Sequence, residues 1–377
     1  MLAAGHQPPG ILDSTSIRFP WAAEEGRALA HRLIGARPLF VCVIASTDTA
    51  LIPGISAAGA SSELIPYTAA ADAEILAHGA ARCFPGVPSN PLGPPGPSLI
   101  TLAALQLAAL PHLIVDAGCH VQADAPCIRL SREPGGLITL GNAVPRARAL
   151  FDAGFDLGIS LAADHPYLVI GESVPGGTTT ALALLLALGF AAQGRVSSSG
   201  ADNAHALKNR VANEALVHLS SETVAADPLI AVATLGDPMQ ATVAGMALGA
   251  LGARCPVLLA GGTQMVALLA LIARLAEKSG DVALAGNIGV ATTRWVAEDP
   301  TADAVGLMAD VGRFPLLASG LSFTESRFAQ LRRYEDFLVK EGVGAGGAAV
   351  AASLAADVTV EALRERVELL YESLIDD

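Results

Sequence analysis

Aromatic residues are scarce in this sequence of 377 residues: they make up 4% of it, although hydrophobic residues make up 52%. The apolar content is therefore mostly alanine, leucine and valine. Because small side chains let helix axes approach closely, we expect a core in which helices pack tightly against their neighbours.

Long uninterrupted apolar runs are also missing, although the mean hydropathy is +0.49. A membrane-spanning helix needs about 20 nearly continuous apolar residues. The run from Thr178 to Ala192 ends at Gln193, and "PVLLAGGTQMVALLALIARL" carries two glycines, Thr263 and Gln264 at its middle. The start "MLAAGHQPPG" lacks the charged and apolar regions of a signal peptide. We predict a cytoplasmic protein with no membrane partner; a membrane-associated protein is the alternative that the hydropathy raises.

The sequence has no basic excess and no cysteine pair. Its net charge is −13, so no basic stripe is present to neutralise phosphates, and we predict no nucleic-acid partner. The five cysteines form no Cys-x-x-Cys motif, which favours free thiols in a reducing cytoplasm. The spacing of Cys119, His120 and Cys127 matches no common zinc pattern, so we predict no metal site.

Short β-rich apolar runs recur along the chain, each followed by a small, polar or glycine-containing segment and then by a helical pattern. The runs are "PLFVCVIA", "HLIV", "YLVI", "PVLLA" and "DVALA". This alternation indicates βαβ units, and it predicts an α/β fold with a mostly parallel sheet flanked by helices.

Ligands of such sheets lie outside the carboxyl ends of the strands. The segments that follow the apolar runs should therefore gather along one edge of the sheet. We predict a small-molecule crevice formed there by Asp48, Glu172, Gly261 and Asn287.

The segment "GESVPGGTTTALALLLAL" combines a polar, flexible start with an apolar helix. We expect a strand from Tyr167 to Ile170, a turn from Gly171 to Gly177, and a helix from Thr178 onward. Unpaired N–H groups and the helix dipole make such a helix start suitable for a phosphate. From spacing alone, a capped helix with a glycine turn explains the segment equally well. Glu172 favours the binding site, because a carboxylate beside a phosphate is unfavourable unless it has a role.

A second glutamate, Glu341, stands in "LVKEGVGAGGAAVAA". A carboxylate held among glycines, alanines and valines should have a raised pKa and suit proton transfer. The alternative is a solvated loop glutamate after Lys340, and composition alone favours that alternative.

Taken together, these segments resemble the nicotinate-nucleotide:dimethylbenzimidazole phosphoribosyltransferases of cobalamin nucleotide-loop assembly, in particular the divergent branch of archaea and cyanobacteria. The resemblance runs in matching order from about Phe40 to about Leu354. "GESVPGGTTT" corresponds to the family's Gly-Glu-Met-Gly-Ile-Gly-Asn-Thr-Thr segment, "VKEGVGAGG" to its Arg-Leu-Gly-Glu-Gly-Thr-Gly-Ala segment, "SSGADNAHALK" to its Gly-Thr-Gly-Leu-Asp-Asp stretch, and "TDTALIPGISA" to its Asp-His-Gly turn.

The resemblance implies transfer of ribose 5-phosphate from nicotinate mononucleotide to a nitrogen of a benzimidazole or related base such as a purine, with no cofactor. It implies that Glu341 takes the proton of the attacking base and that Glu172 is a second active-site carboxylate. It places Asp48 and Ser56 toward the base pocket. The residues implied for the phosphate and ribose are Gly176, Gly177, Thr178, Thr179, Ser199, Gly200 and Lys208.

The family architecture implies a homodimer. Each chain is expected to have a Rossmann-like domain over residues 36–320 and a small helical lobe formed by residues 1–35 and 321–377. The sequence departs from the family pattern where Asp48-Thr49-Ala50 replaces Asp-His-Gly and where "GGTQ" and "GNIGVATTRW" replace segments of different chemistry, so rearranged contacts are expected. A non-catalytic nucleotide-binding paralogue is the alternative function, and the presence of both glutamates counts against it.

Overall fold

The structure is a computed structural model that describes residues 16–58, 61–84, 93–200, 203–280 and 283–376. The first 15 residues of the expected helical lobe lie outside the described residues.

An eight-stranded sheet forms the centre of the described part of the chain, in the order β1-β8-β7-β6-β5-β2-β3-β4. Every neighbouring pair is parallel except β1 with β8, which is antiparallel, so the predicted α/β fold with a mostly parallel sheet is confirmed. The strands are β1 Ile17–Trp21, β2 Leu39–Ala45, β3 His112–Gly118, β4 Ile128–Arg129, β5 Leu168–Ser173, β6 Val257–Ala260, β7 Ile288–Thr293 and β8 Leu316–Ser319.

Helices cover both faces of the sheet. Within the described ranges they are α1 Ala23–Leu33, α2 Thr68–His78, α3 Ser98–Leu107, α4 Ala147–Ala162, α5 Gly177–Ala187, α6 His205–Leu216, α7 Ser221–Ala226, α8 Leu229–Leu235, α9 Pro238–Gly252, α10 Thr263–Ser279, α11 Arg294–Ala297, α12 Ala304–Val311, α13 Ala329–Arg332, α14 Ala345–Ala356 and α15 Val360–Asp376. No helix in the described ranges is both long and apolar enough to cross a membrane.

Two hydrophobic cores lie on opposite faces of the sheet, and β2 shows how one strand serves both. Val41 and Val43 belong to the core with α4, α5, α9 and α10, whereas Phe40 and Cys42 belong to the core with α2, α3 and α14. Successive side chains of a strand point to opposite faces, so a strand buried on both sides is apolar throughout. This explains why the sheet strands appear in the sequence as continuous apolar runs.

Helices α4 and α9 approach so closely that their backbones touch. A Cβ at Gly158 would lie 2.1 Å from the Met246 carbonyl oxygen, and a Cβ at Gly245 would lie 2.0 Å from the Phe151 carbonyl oxygen. Four glycines spaced in pairs share this role: Gly154, Gly158, Gly245 and Gly249. The close helix packing expected from the small-residue composition occurs here.

One strand was placed wrongly by the sequence pattern. The run "DVALA" was expected to be a strand followed by Asn287, and its first two residues lie outside the described residues. The strand in this region is β7, which begins at Ile288. The Asn287 carbonyl accepts a hydrogen bond from the Val257 amide, at the amino end of β6. The prediction that Asn287 lies in the ligand crevice is therefore wrong, because it lies at the opposite edge of the sheet.

The division of the chain into a Rossmann-like domain, residues 36–320, and a helical lobe stays a prediction. On the N-terminal side, β1 pairs with β8 and so joins the sheet. On the C-terminal side, α14 packs across β5, β6, β7 and β8, which brings the segment around Glu341 to the sheet.

Candidate active site

The strand order fixes where a ligand crevice forms. From β2 the chain proceeds outward to β3 and β4, and from β5 it proceeds in the other direction to β6, β7 and β8. The order therefore reverses between β2 and β5, and ligands of open α/β sheets bind outside the strand ends at such a point. A cavity of about 970 Å³, which includes its open mouth, lies at that edge.

The cavity gathers segments that are distant in sequence. Its walls come from residues 55–58, 96–97, 172–178, 197–199, 262–264 and 339–342, together with Thr68, Asp72 and Val296. Among the predicted site residues, seven lie on this wall: Ser56, Glu172, Gly176, Gly177, Thr178, Ser199 and Glu341.

Glu172 is the second-last residue of strand β5 and is only 3% exposed. One carboxylate oxygen accepts a hydrogen bond from the Val174 amide at 2.9 Å. Burial, and next the charges of Asp237 and Glu341, raise the pKa of Glu172 well above its usual range. The surroundings therefore favour the neutral form of this carboxyl group over its ionised form.

Glu341 stands beside the start of α14, on the wall of the same cavity. One carboxylate oxygen accepts hydrogen bonds from the Thr293 amide at 2.9 Å and the Thr292 hydroxyl at 3.1 Å. The other accepts from the Gly346 amide at 3.1 Å, in the first turn of α14. Burial raises the pKa of Glu341 to about 7, and these hydrogen bonds limit the rise. Glu341 is thus held by the fold, which does not fit the alternative of a solvated loop glutamate.

Thr292 and Thr293 were not predicted as site residues. They are the last two residues of strand β7, and they were missed because the strand was predicted at "DVALA" instead. The signal that could have found them is the "ATT" at the end of "IGVATT", where small and polar residues follow a β-branched run.

The turn between β5 and α5 needs its glycines. Gly176 has a positive φ of 74°, and a Cβ there would lie 2.8 Å from Ala50. A Cβ at Gly177 would lie 2.0 Å from the side-chain oxygen of Gln264. The two glycines therefore let Ala50 and Gln264 pack closely against the turn. Gly176, Gly177 and the half-buried Thr178 line the cavity at the amino end of α5.

Two further buried aspartates, Asp72 and Asp237, lie near Glu172, and the sequence pattern did not identify them. Asp72 lines the cavity and accepts a hydrogen bond from Ser173 at 2.7 Å. Asp237 caps α9 and accepts a hydrogen bond from Thr180 of α5 at 2.5 Å. Burial raises the pKa of each to about 6. A single aspartate among alanines in "TAAADAEIL" and an Asp-Pro helix start were the available signals.

Four predicted residues lie away from the cavity wall. Thr179 is fully buried: successive helix residues point about 100° apart, and of these two threonines Thr178 lines the cavity and Thr179 does not. Lys208 is fully buried on α6, and the Gly200 carbonyl accepts a hydrogen bond from Lys340 at 3.2 Å. Asp48 pairs with His120 at 2.8 Å. These four stay predictions, and our proposal for the site does not depend on them.

Comparison with known proteins gives a consistent result. A phosphoribosyltransferase family model matches residues 99–294, just over half of the chain. A UPF0284 protein of Gloeobacter violaceus is 46% identical over 360 residues, covering 94% of this chain and 93% of that protein. A UPF0284 protein of Methanothermobacter thermautotrophicus is 41% identical over 342 residues, covering 89% and 93%.

The fold also has a solved counterpart. The crystal structure of a nicotinate-nucleotide-dimethylbenzimidazole phosphoribosyltransferase from Thermus thermophilus matches with a TM-score of 0.60 at 19% identity. The match covers 97% of this chain and 92% of that one. At this identity the match shows a shared fold.

Proposed function

The chain belongs to the phosphoribosyltransferase family, and from that premise we propose that it moves ribose 5-phosphate from nicotinate mononucleotide to a ring nitrogen of dimethylbenzimidazole or a related base. Nicotinate is the other product, and the ribotide would serve the assembly of a cobalamin nucleotide loop. The observation that carries the proposal is Glu341: a carboxylate on the cavity wall whose pKa is raised to about 7. A general base works best when its pKa is close to the working pH.

The phosphate of the mononucleotide is assigned to the amino end of α5. Gly176 and Gly177 line the cavity there, and Thr178 and Ser199 add hydroxyl groups on the same wall. The Gly177 and Thr179 amides donate to the Val174 and Gly176 carbonyls. The positive end of the helix dipole favours an anion at this position. Thr178→Val and Ser199→Ala should each weaken mononucleotide binding, and loss of one charge-assisted hydrogen bond costs roughly 1.5–3 kcal/mol.

In the transfer step the base nitrogen forms a bond to the anomeric carbon while the bond from that carbon to the nicotinate nitrogen breaks. The bonding electrons return to the pyridinium ring, so the leaving group needs no acid. The N–H proton of the attacking base passes to the Glu341 carboxylate, so the newly bonded base keeps no positive charge. Glu172 lies on the same wall, and a bound pyridinium cation would favour its ionised form, which could then stabilise positive charge at the anomeric carbon.

The direct test is incubation of the protein with nicotinate mononucleotide and a panel of bases, with mass spectrometry for new ribotides and for released nicotinate. Glu341→Gln keeps the side-chain shape but cannot take up the proton. We expect turnover to fall about 10²–10⁴-fold, while calorimetric affinity for the mononucleotide changes little. Glu325→Gln is the matched control, because Glu325 is exposed.

Near-normal turnover of the Glu341→Gln variant would remove Glu341 from the mechanism and shift the role to Glu172. Mononucleotide binding by the wild-type protein without any ribotide, across the whole panel, would favour the alternative of a non-catalytic nucleotide-binding paralogue.

A further inference from the structure

A buried ion pair lies directly beside the cavity and has no part in the transfer step. The Lys340 ammonium lies 2.8 Å from an Asp299 carboxylate oxygen, and both side chains are 1% exposed. Lys340 immediately precedes Glu341, whereas Asp299 lies just after α11. Burial acts to raise the pKa of Asp299, but hydrogen bonds from Lys340, Thr301 and Ser197 outweigh it and lower the pKa to about 2.

The pair is the centre of a hydrogen-bond network. Lys340 also donates to the Asn203 side-chain oxygen at 2.9 Å, and the Asn203 amide group donates to Asp299 at 3.0 Å. The Ser197 hydroxyl donates to the same Asp299 oxygen at 2.7 Å. Asn203 in turn accepts from the Ser198 amide at 2.6 Å. Asp299 thus holds the Ser197 side chain directly, and the pair holds the Ser198 backbone through Asn203.

The same network is tied to the segment that carries Glu341. The Val339 amide donates to the Ser199 carbonyl at 3.1 Å, and the Thr293 hydroxyl donates to the Lys340 carbonyl at 2.5 Å. Thr293 is also the residue whose amide binds the Glu341 carboxylate. These direct hydrogen bonds join the wall segment 197–199, the end of β7 and the Glu341 segment around the buried pair.

A buried ion pair is a costly way to stabilise a fold, because apolar residues of similar volume often serve stability equally well. Its use here, between two walls of one cavity, indicates a requirement for geometry. We propose that Lys340 and Asp299 are positioning residues. They hold the wall segment 197–199, which includes the phosphate-binding Ser199, and the general base Glu341 at a fixed separation. This inference rests on the proposed function and deepens it.

The test separates positioning from stability by replacing both charges at once. Lys340→Met combined with Asp299→Leu leaves no unpaired charge, so we expect a folded protein with a melting temperature close to that of the wild type. Small displacements of reacting groups can cost about 10²-fold in rate. We therefore expect kcat to fall at least tenfold, KM for the mononucleotide to rise, and amides of residues 197–200 and 339–346 to exchange hydrogen faster. The control is Arg327→Gln with Glu372→Gln, which removes an exposed pair between Arg327, just before α13, and Glu372 on α15.

Wild-type kcat, KM and hydrogen exchange in a double variant of normal melting temperature would overturn the inference. If the double variant does not fold, the Asn203→Ala variant provides the test, because it removes the bridging side chain and leaves both charges paired. Wild-type kinetics and hydrogen exchange in that variant would also overturn the inference. The exchange measurement needs no substrate. If the wild-type protein makes no ribotide, the proposed function fails, while unchanged exchange at the two segments would show separately that the pair does not position them.

Discussion

Asp237 gives a prediction that depends on the fold alone. Its carboxyl group is fully buried at the start of α9, and burial raises its pKa from 3.8 to about 6. Between these two values the folded protein keeps a proton that the unfolded chain has lost. The free energy of unfolding therefore decreases as pH rises from about 4 to about 6 and does not change further through this group.

The magnitude follows from the two pKa values. They differ by about two, and each pH unit corresponds to about 1.36 kcal/mol, so Asp237 alone should lower the free energy of unfolding by about 3 kcal/mol across this range. Asp237→Asn removes the titration but keeps a good helix cap, since asparagine is as frequent as aspartate at that position. Asp237 is also the charge that raises the Glu172 pKa most. Its removal lowers the Glu172 pKa and so further weakens the loss of stability with rising pH.

The assay is urea unfolding of the wild type and the variant at about pH 4 and about pH 7.5. We expect the Asp237→Asn variant to lose about 3 kcal/mol less than the wild type between the two conditions. Asp164→Asn, at an exposed aspartate, should leave the difference unchanged. Parallel pH dependences for the wild type and Asp237→Asn would refute the argument that burial keeps this carboxyl protonated.

Three further predictions concern the site and its support. The kcat/KM of transfer should rise about tenfold per pH unit up to about pH 7 and then level off, because Glu341 must be ionised to accept a proton and its pKa is raised to about 7; a flat profile would exclude it as the base. Gly176→Ala should weaken calorimetric mononucleotide binding at least about tenfold, whereas Gly189→Ala, at a similar positive φ in open space, should not; equal effects would mean that backbone strain alone is responsible. Gly158→Ala should lower the free energy of unfolding by about 3 kcal/mol, because its Cβ meets the Met246 carbonyl oxygen; a stability loss below about 0.5 kcal/mol in urea unfolding would show that the helices can separate at little cost.

The parts of the fold that local patterns determine could be predicted. Continuous apolar runs identified β2, β3, β5 and β6 because these strands are buried on both faces. The turn before α5 was recognisable because its glycines and threonines directly follow such a run. The strand β7 was missed, since "IGVATT" contains a glycine and two threonines and is less apolar than the neighbouring "DVALA".

The parts of the site that arise from long-range packing could not be predicted without the resemblance to a family. Nothing near Asp72 in sequence shows that it lies beside Ser173, and nothing near Lys340 shows that it meets Asp299. Composition favoured a solvated Glu341, because a glycine-rich loop is usually exposed. Glu341 is partly buried, and its carboxylate is held by Thr292 and Thr293, which belong to strand β7.

The contact between α4 and α9 has a consequence for how the sequence can diverge. Each of the four glycines faces a carbonyl group or other backbone atoms of the opposite helix, and every residue type carries these same atoms. A larger residue at Gly158 therefore cannot be relieved by shrinking Met246. We expect no compensating side-chain substitution across this interface, and in an alignment of relatives these positions should be restricted to glycine without covarying with their partners.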